Sequence, residues 1–208
     1  MKRKYNSKID GWIFLDKPIG LSSNKVLQSV RKIFNNCKAG YVGTLDPLAS
    51  GFLPIAIGNA TKTIRLVENQ TKEYIFTIQW GMKTETGDLE GKIIKKKNVF
   101  PSKNKILEKL KNFVGEIYQI PPKYSSKKIN GQRAYKLVRN KKEFSIEGKN
   151  VNINRFVLKN TISKYKAEFL VECSTGTYVR SLAEDLADSL DTVGTVSSLR
   201  RTKFSNFN

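Results

Sequence analysis

Gly40-Tyr-Val-Gly-Thr-Leu-Asp-Pro-Leu-Ala-Ser-Gly51 holds a single carboxylate, Asp46, in an otherwise uncharged run. Glycines at 40, 43 and 51 bracket it, and Pro47 follows it directly. Glycine permits backbone angles that other residues avoid. Proline fixes its own φ and pushes the preceding residue towards extended or turn geometry. The pattern predicts a stiff loop that keeps Asp46 in one place, as a reactive group requires. An Asp-Pro pair by itself commonly does no more than start a turn, so the rest of the chain must decide between turn and site.

The chain has 208 residues, enough for one substantial core or two small ones. Lys and Arg number 38 against 18 acids, a formal net charge of +20. So basic a chain expects a polyanion, with nucleic acid the first candidate. Charge alone does not separate RNA from DNA or from an acidic membrane, and lysines such as Lys95–Lys97, Lys141 and Lys142 read as solvated surface. There is no histidine, which excludes histidine acid–base catalysis, Ser-His-Asp triads and histidine-ligated metals. Cys37 and Cys173 form no CxxC pair, so no structural zinc is expected; two lone cysteines fit a reducing compartment. Met1–Lys8 is basic with no apolar stretch behind it, unlike a secretory signal. No apolar run reaches membrane-spanning length. The expectation is a soluble cytoplasmic protein without metal.

Working outward from the loop, Gly11–Asp16 reads as an apolar strand turned by Lys17-Pro-Ile-Gly20. Ser22 or Ser23 can cap a helix with Val26, Leu27, Val30, Ile33 and Phe34 at helical spacing. Phe52–Ile57 is a second strand, and Asn59 can cap a short helix through Val67. In Lys72–Gly81, Tyr74, Phe76, Ile78 and Trp80 share one face of a strand; core packing is the default for such a face and a base-stacking platform the sharper alternative. Thr84–Gly91 reads as a loop. Ser102 caps a helix with Ile106, Leu107, Leu110 and Phe113 inward, and Gly115–Ile120 is a strand closed by Pro121-Pro122. Residues 123–150 are basic and sparsely aromatic, on the surface as either a solvated insertion or an RNA-gripping lobe with Tyr124 and Tyr135 for stacking. Strands at Val151–Leu158 and Tyr165–Cys173 precede a helix at Ser181–Leu190. This irregular order favours α+β with a mostly antiparallel sheet over a doubly wound fold.

Four blocks resemble the bacterial TruB-type tRNA pseudouridine synthases: Asp16-Lys-Pro-Ile-Gly20; Gly43-Thr-Leu-Asp-Pro-Leu-Ala-Ser-Gly51; Pro121-Pro-Lys-Tyr-Ser-Ser-Lys-Lys128 with Gly131-Gln-Arg-Ala-Tyr135; and Cys173-Ser-Thr-Gly-Thr-Tyr-Val-Arg180 with Leu199-Arg-Arg-Thr202. They stand in the family's order over nearly the whole chain. The resemblance implies a pseudouridine synthase fold, with the mixed sheet flanked by helices and the 123–150 lobe gripping RNA. It also implies isomerisation of the uridine at position 55 in the T loop of tRNA. That chemistry breaks N1–C1′, turns the uracil and joins C5 to C1′, with nothing oxidised and no cofactor required.

By the same resemblance Asp46 is the essential carboxylate, acting as nucleophile on the sugar or the base, or as a base at the sugar. A buried, base-sized pocket would raise its pKa, so a cation is wanted beside it, and Arg180 matches the family's. Tyr74 matches the tyrosine that stacks on the flipped uracil and helps take the C5 proton. Tyr178 and Leu199 match base-contacting positions, while Lys17, Pro18 and Gly43 belong to turns that brace the loop. The chain departs from the pattern at Tyr41, where the family usually has a histidine that fills the space vacated by the flipped base, and near Thr195, where a second histidine is missing. It ends at Asn208, where relatives continue into a small C-terminal RNA-binding (PUA) domain. The expectation is a single catalytic domain over 1–208, probing tRNA as a monomer with a more salt-sensitive grip. The alternatives are a catalytically idle tRNA-binding or tRNA-folding protein, and the same chemistry on another RNA.

Overall fold

The computed structural model describes residues 9–205; Met1–Lys8, read above as no signal, lies outside the described residues. β1 (Gly11–Lys17) leads through the Lys17–Gly20 turn to α1 (Ser23–Ile33), and β2 (Ala39–Tyr41) leads through the Asp46 loop to β3 (Ala49–Ile57). A 3-10 segment and α2 (Ile64–Val67) precede β4 (Lys72–Trp80). A small hairpin, β5 (Met82–Thr84) and β6 (Ile93–Lys96), comes before α3 (Lys103–Leu110) and β7 (Gly115–Gln119). The basic segment folds as β8 (Lys128–Ile129), β9 (Gln132–Arg133) and α4 (Ala134–Arg139). β10 (Lys149–Ser163), β11 (Lys166–Cys173), α5 (Val179–Ser189) and β12 (Gly194–Phe204) complete it.

The main sheet runs β1-β3-β12-β4-β11-β10-β7, with β2 also on β3. Its pairings are antiparallel except β12 on β3. The expected α+β class with a mostly antiparallel sheet holds. One edge of β3 is taken by β1 over residues 51–57. The other is shared: Ala49–Gly51 pair with β12, and Ile55–Ile57 pair with β2. The Asp46 loop leaves β2 and enters β3 at this hand-over. Gly51 makes it possible: at φ +102, a Cβ there would stand 2.2 Å from the Arg201 carbonyl oxygen, so only glycine lets the two strands approach.

Period-two alternation places Tyr74, Phe76, Ile78 and Trp80 in the core, as the default reading held. Phe76 stacks on Phe156 (5.9 Å between centroids) and on Phe169 (5.6 Å), and Trp80 meets Phe169 edge-on. α5 buries Leu182, Ala183, Leu186 and Ala187, α1 buries Val26, Leu27 and Val30, and α3 buries Ile106 and Leu110 in the same cluster. Among the described residues no helix is long and apolar enough to cross a membrane.

The structure corrects several local readings. Ile33 and Leu107 fit the helical spacing yet are exposed, because each lies beyond the stripe its helix turns to the sheet. Asn59 caps no helix; its backbone N–H and side-chain amide donate to the Asp10 carboxylate at 2.6 and 2.9 Å. The 85–91 stretch is a loop as read, and Asp88 bridges it to Val196. The 123–150 segment is not simply solvated: Ala134 and Leu137 are buried.

Candidate active site

Two sequence blocks hold the Asp46 loop from beneath. Ser22 caps α1 by accepting from the Lys25 N–H, and this leaves Ser23 free to serve the loop. The buried Ser23 hydroxyl accepts from the Leu45 N–H at 2.8 Å and donates to the Leu45 carbonyl at 2.9 Å. On the other side of Asp46, the Pro47 carbonyl accepts from the Gly20 N–H at 2.8 Å and from Lys17 Nζ at 3.4 Å. Lys17 is fully buried and also donates to the carbonyls of Pro18 and Leu21 at 2.9 and 2.5 Å. The Asp16-Lys-Pro-Ile-Gly20 turn therefore wraps an ammonium that ties its own carbonyls to the loop.

Arg180, in the first turn of α5, reaches Asp46 Oδ2 with Nη2 at 2.9 Å. The guanidinium is clamped: Nη1 donates to the Thr86 carbonyl at 2.8 Å, Nη2 to the Tyr124 carbonyl at 3.0 Å, and Asp88 Oδ2 lies 3.7 Å from Nη1. Asp88 is itself buried, its Oδ1 accepting from the Thr86 hydroxyl and the Glu90 N–H. Burial raises the Asp46 pKa above the ordinary aspartate value. Arg180 opposes that, Asp88 adds to it, and burial wins.

Asp46 opens into a cavity of about 380 Å³ whose lining includes Gly43, Tyr74, Tyr178, Arg180 and Leu199. Tyr74 and Leu199 are 7% and 8% exposed. Burial pushes the Tyr74 and Tyr178 phenols up, so both stay protonated near neutral pH. The Tyr178 backbone is held by the Gln119 amide, which accepts from its N–H at 2.7 Å and donates to its carbonyl at 3.1 Å. Tyr41 lies elsewhere: it lines an adjoining cleft of about 720 Å³ that shares Asp46 and Arg180 and is lined also by Arg133, Tyr135 and Arg139 of the basic segment. The structure thus gathers Gly43, Asp46, Tyr74, Tyr178, Arg180 and Leu199 in one cavity, sets Tyr41 beside it, and places Lys17 and Pro18 in the turn that bonds to the loop. Among the described residues no group of three acids or cysteines could hold a metal ion.

Sequence reasoning missed Ser23 as a loop anchor and Asp88 as a second acid at Arg180. It also missed Lys72 and Arg201, both buried and both lining the cavity. A signal existed for the last two: Lys72 stands two residues before Tyr74 and Arg201 two after Leu199, so alternation puts each on the inward face. No local signal singles out Asp88 among Glu85, Asp88 and Glu90.

The mixed sheet that carries this Asp46–Arg180 pair is the pseudouridine synthase fold, as two solved structures show. The chain matches an H/ACA RNP bound to a substrate RNA containing 2′-deoxyuridine with a TM-score of 0.71 and 27% identity, over 95% of this chain and 48% of that one. A Cbf5–Nop10–Gar1 complex matches at 0.71 and 29%, over 94% and 50%. Residues 31–179 match the N-terminal domain of the TruB family pseudouridylate synthases, and the chain belongs to that family. It is 45% identical over 201 residues to the tRNA pseudouridine synthase B of Wolbachia pipientis subsp. Culex pipiens, covering 96% of this chain and 57% of the relative. It is 46% identical over 198 residues to that of Ehrlichia ruminantium, covering 95% and 67%. For Brucella anthropi the values are 44% over 205 residues, 99% and 63%. The chain spans 57% to 67% of the length of these relatives.

Proposed function

We propose that this chain isomerises uridine to pseudouridine at position 55 in the T loop of tRNA, with Asp46 as the essential carboxylate. The observation that carries the reading is the 2.9 Å pair between Asp46 and the clamped Arg180 at the cavity. The relatives named tRNA pseudouridine synthase B supply the substrate class. A base reaches such a cavity only by leaving its stack, at a cost of a few kcal/mol, which the basic surface offsets through phosphate contacts.

In this reading the everted uracil stacks on Tyr74 and is flanked by Leu199 and Tyr178. Asp46 is ionised and aimed by Arg180 at the nucleoside. The N1–C1′ bond breaks, the uracil turns within the cavity, and C5 bonds to C1′. The proton on C5 leaves and N1 gains one, so the product is an isomer of the substrate. Tyr74 is a neutral phenol at the start, so it can relay that proton by giving up its own as it accepts another. The 123–150 segment is the lobe that grips RNA, and the enzyme works as a monomer in the cytoplasm without a cofactor.

The test incubates purified protein with unmodified tRNA transcript and maps pseudouridine by carbodiimide labelling and primer extension, with Asp46→Asn alongside. A stop at the T-loop uridine that vanishes in the variant is expected. A stop elsewhere overturns the substrate. No stop despite intact tRNA binding overturns the reaction and leaves an RNA-binding or RNA-folding protein.

A further inference from the structure

One wall of the cavity carries two cations that no carboxylate among the described residues pairs, and one of them, Arg201, stands beside the Tyr74 phenol and lowers its pKa against the larger effect of burial. Lys72 is 5% exposed, and its Nζ donates to the Gln70 and Glu68 carbonyls at 2.8 and 3.3 Å. An ammonium has three donors, so one is unspent. Arg201 is 1% exposed; its Nε donates to the Phe52 carbonyl at 2.7 Å and Nη2 reaches the Val42 carbonyl at 3.5 Å, but Nη1 is buried with no hydrogen-bond partner. Both cations stand over the Phe204 ring, at 4.8 and 5.4 Å from its centroid. Among the described residues neither has a carboxylate within ion-pair distance.

Gly43 keeps the pair against the Asp46 loop. Its φ is +68, and a Cβ there would meet Arg201 Nη1 at 2.7 Å and Lys72 Cε at 3.4 Å. At the mouth, Lys149 Nζ closes over Gly176. The cavity lining holds five cations, Lys72, Lys127, Lys149, Arg180 and Arg201, against one carboxylate, Asp46, which Arg180 already pairs. Buried like charges without a counter-ion are costly. Burial and the neighbouring Arg201 draw the Lys72 pKa down to about 8. Arg201 Nη1 is buried beneath Gly43, so the charge of this arginine stands behind the reactive loop.

We infer that Lys72 and Arg201, with Lys149 at the mouth, form a phosphate subsite that takes one backbone phosphodiester flanking the everted uridine. The polymer's identity rests on the isomerase reading; the charge of the group does not. The third Lys72 donor and the Lys149 ammonium supply the charge-assisted bonds to phosphate oxygens, and Arg201, buried beneath Gly43, adds positive charge behind them. Gly43 touches both cations and lies three residues before Asp46, so a nucleotide with its sugar at Asp46 carries its own backbone to this wall. The subsite would then measure the backbone of a nucleotide already turned out of its stack.

The test uses T stem-loop RNAs in which one phosphodiester at a time is an uncharged methylphosphonate. Binding to wild type, Lys72→Met and Lys72→Arg is read by fluorescence anisotropy. Wild type is expected to lose about tenfold or more, as for a bond to a charged group, at one position flanking the target uridine. Lys72→Met should bind unmodified RNA correspondingly less well, lose about one unit of salt slope, and be indifferent to neutralisation at that position. Lys72→Arg should keep the sensitivity. If no flanking methylphosphonate weakens wild-type binding, the subsite is overturned whatever the variants do, and additive losses in Lys72→Met overturn it equally. Pseudouridine formation on unmodified RNA is scored in parallel. Product without this coupling removes the subsite and keeps the isomerase; coupling without product does the reverse.

Discussion

Ser23, the first residue of α1, bonds Leu45 at both of its backbone polar groups, one residue before Asp46. A helix start thereby fixes the height of the carboxylate above the sheet. Ser23→Ala strips both partners from buried groups, at about 1–3 kcal/mol for an unsatisfied group. Its melting temperature should fall and its turnover should fall further than its RNA affinity. Ser22→Ala removes only the cap, typically about 1 kcal/mol, and should leave turnover unchanged once folded. Thermal melts beside single-turnover rates separate the two; equal effects on turnover would mean that Ser23 does not position the loop.

The acid limb of activity should report Asp46. Burial holds its pKa above that of an ordinary aspartate despite Arg180, so the limb in kcat/KM is expected above the free value of about 3.9. Arg180→Gln removes the group that lowers it and should move the limb to higher pH, with a rate loss of about 10²-fold or more from lost aim. The stability sign follows from the same shift. A folded pKa above the unfolded one means stability is fully present below the unfolded value and is lost as pH rises through the folded value. Asp46→Asn, which mimics the protonated form, should abolish product yet melt no lower than wild type at pH 7.

Asp88 should behave as a positioning residue. It holds Arg180 from the side opposite Asp46, at 3.7 Å, and its charge raises the Asp46 pKa. Asp88→Asn should lower kcat by about 10²-fold through misplacement of the guanidinium, change KM little, and shift the acid limb to lower pH. A loss of rate with an unmoved limb would place Asp88 in the scaffold only.

The exposed pair of Arg200 with Asp16 is the contrast. Two parallel bonds at 2.9 and 2.7 Å hold it, yet both side chains are at least half exposed. Arg200 lowers the Asp16 pKa, so any stabilisation is present above the unfolded carboxylate value and lost as pH falls through the folded one. Such pairs contribute about 0–1 kcal/mol, and Arg200→Ala should change melting and turnover little, although Arg201 next to it is buried.

What the sequence made legible follows from periodicity and stiffness. The alternation in Lys72–Trp80 assigned the core face correctly, and the same alternation, carried one step further, would have placed Lys72 inside; a lysine at a strand start reads as surface only if the period is ignored. Glycine and proline marked the Asp46 loop because its backbone needs them. The partners across the sheet left no local mark. Asp88 sits between two glutamates, and only the bridge to Val196 decides which acid turns in. Asn59 looked like a cap because residues of its type cap helices, but Asp10, 49 positions away, outbid the helix for its amide.

Tyr41 offers the sharpest check on RNA recognition. It stands in β2, half-buried, in the cleft that shares Asp46 and is lined by Arg133, Tyr135 and Arg139. Arg139 lies over the Tyr135 ring at 5.6 Å, so this cleft already pairs aromatic faces with cations. If Tyr41 fills the gap left by the everted base, its ring matters and its hydroxyl does not. Tyr41→Phe should then bind and turn over T stem-loop RNA as wild type does. Tyr41→Ala should lose about 1–3 kcal/mol of stacking, read as a rise in Kd of about tenfold or more by anisotropy, with kcat at saturation less affected. Should Tyr41→Phe fall as far as Tyr41→Ala, the hydroxyl is the working group, and Tyr41 contacts the RNA through a hydrogen bond in place of a stack.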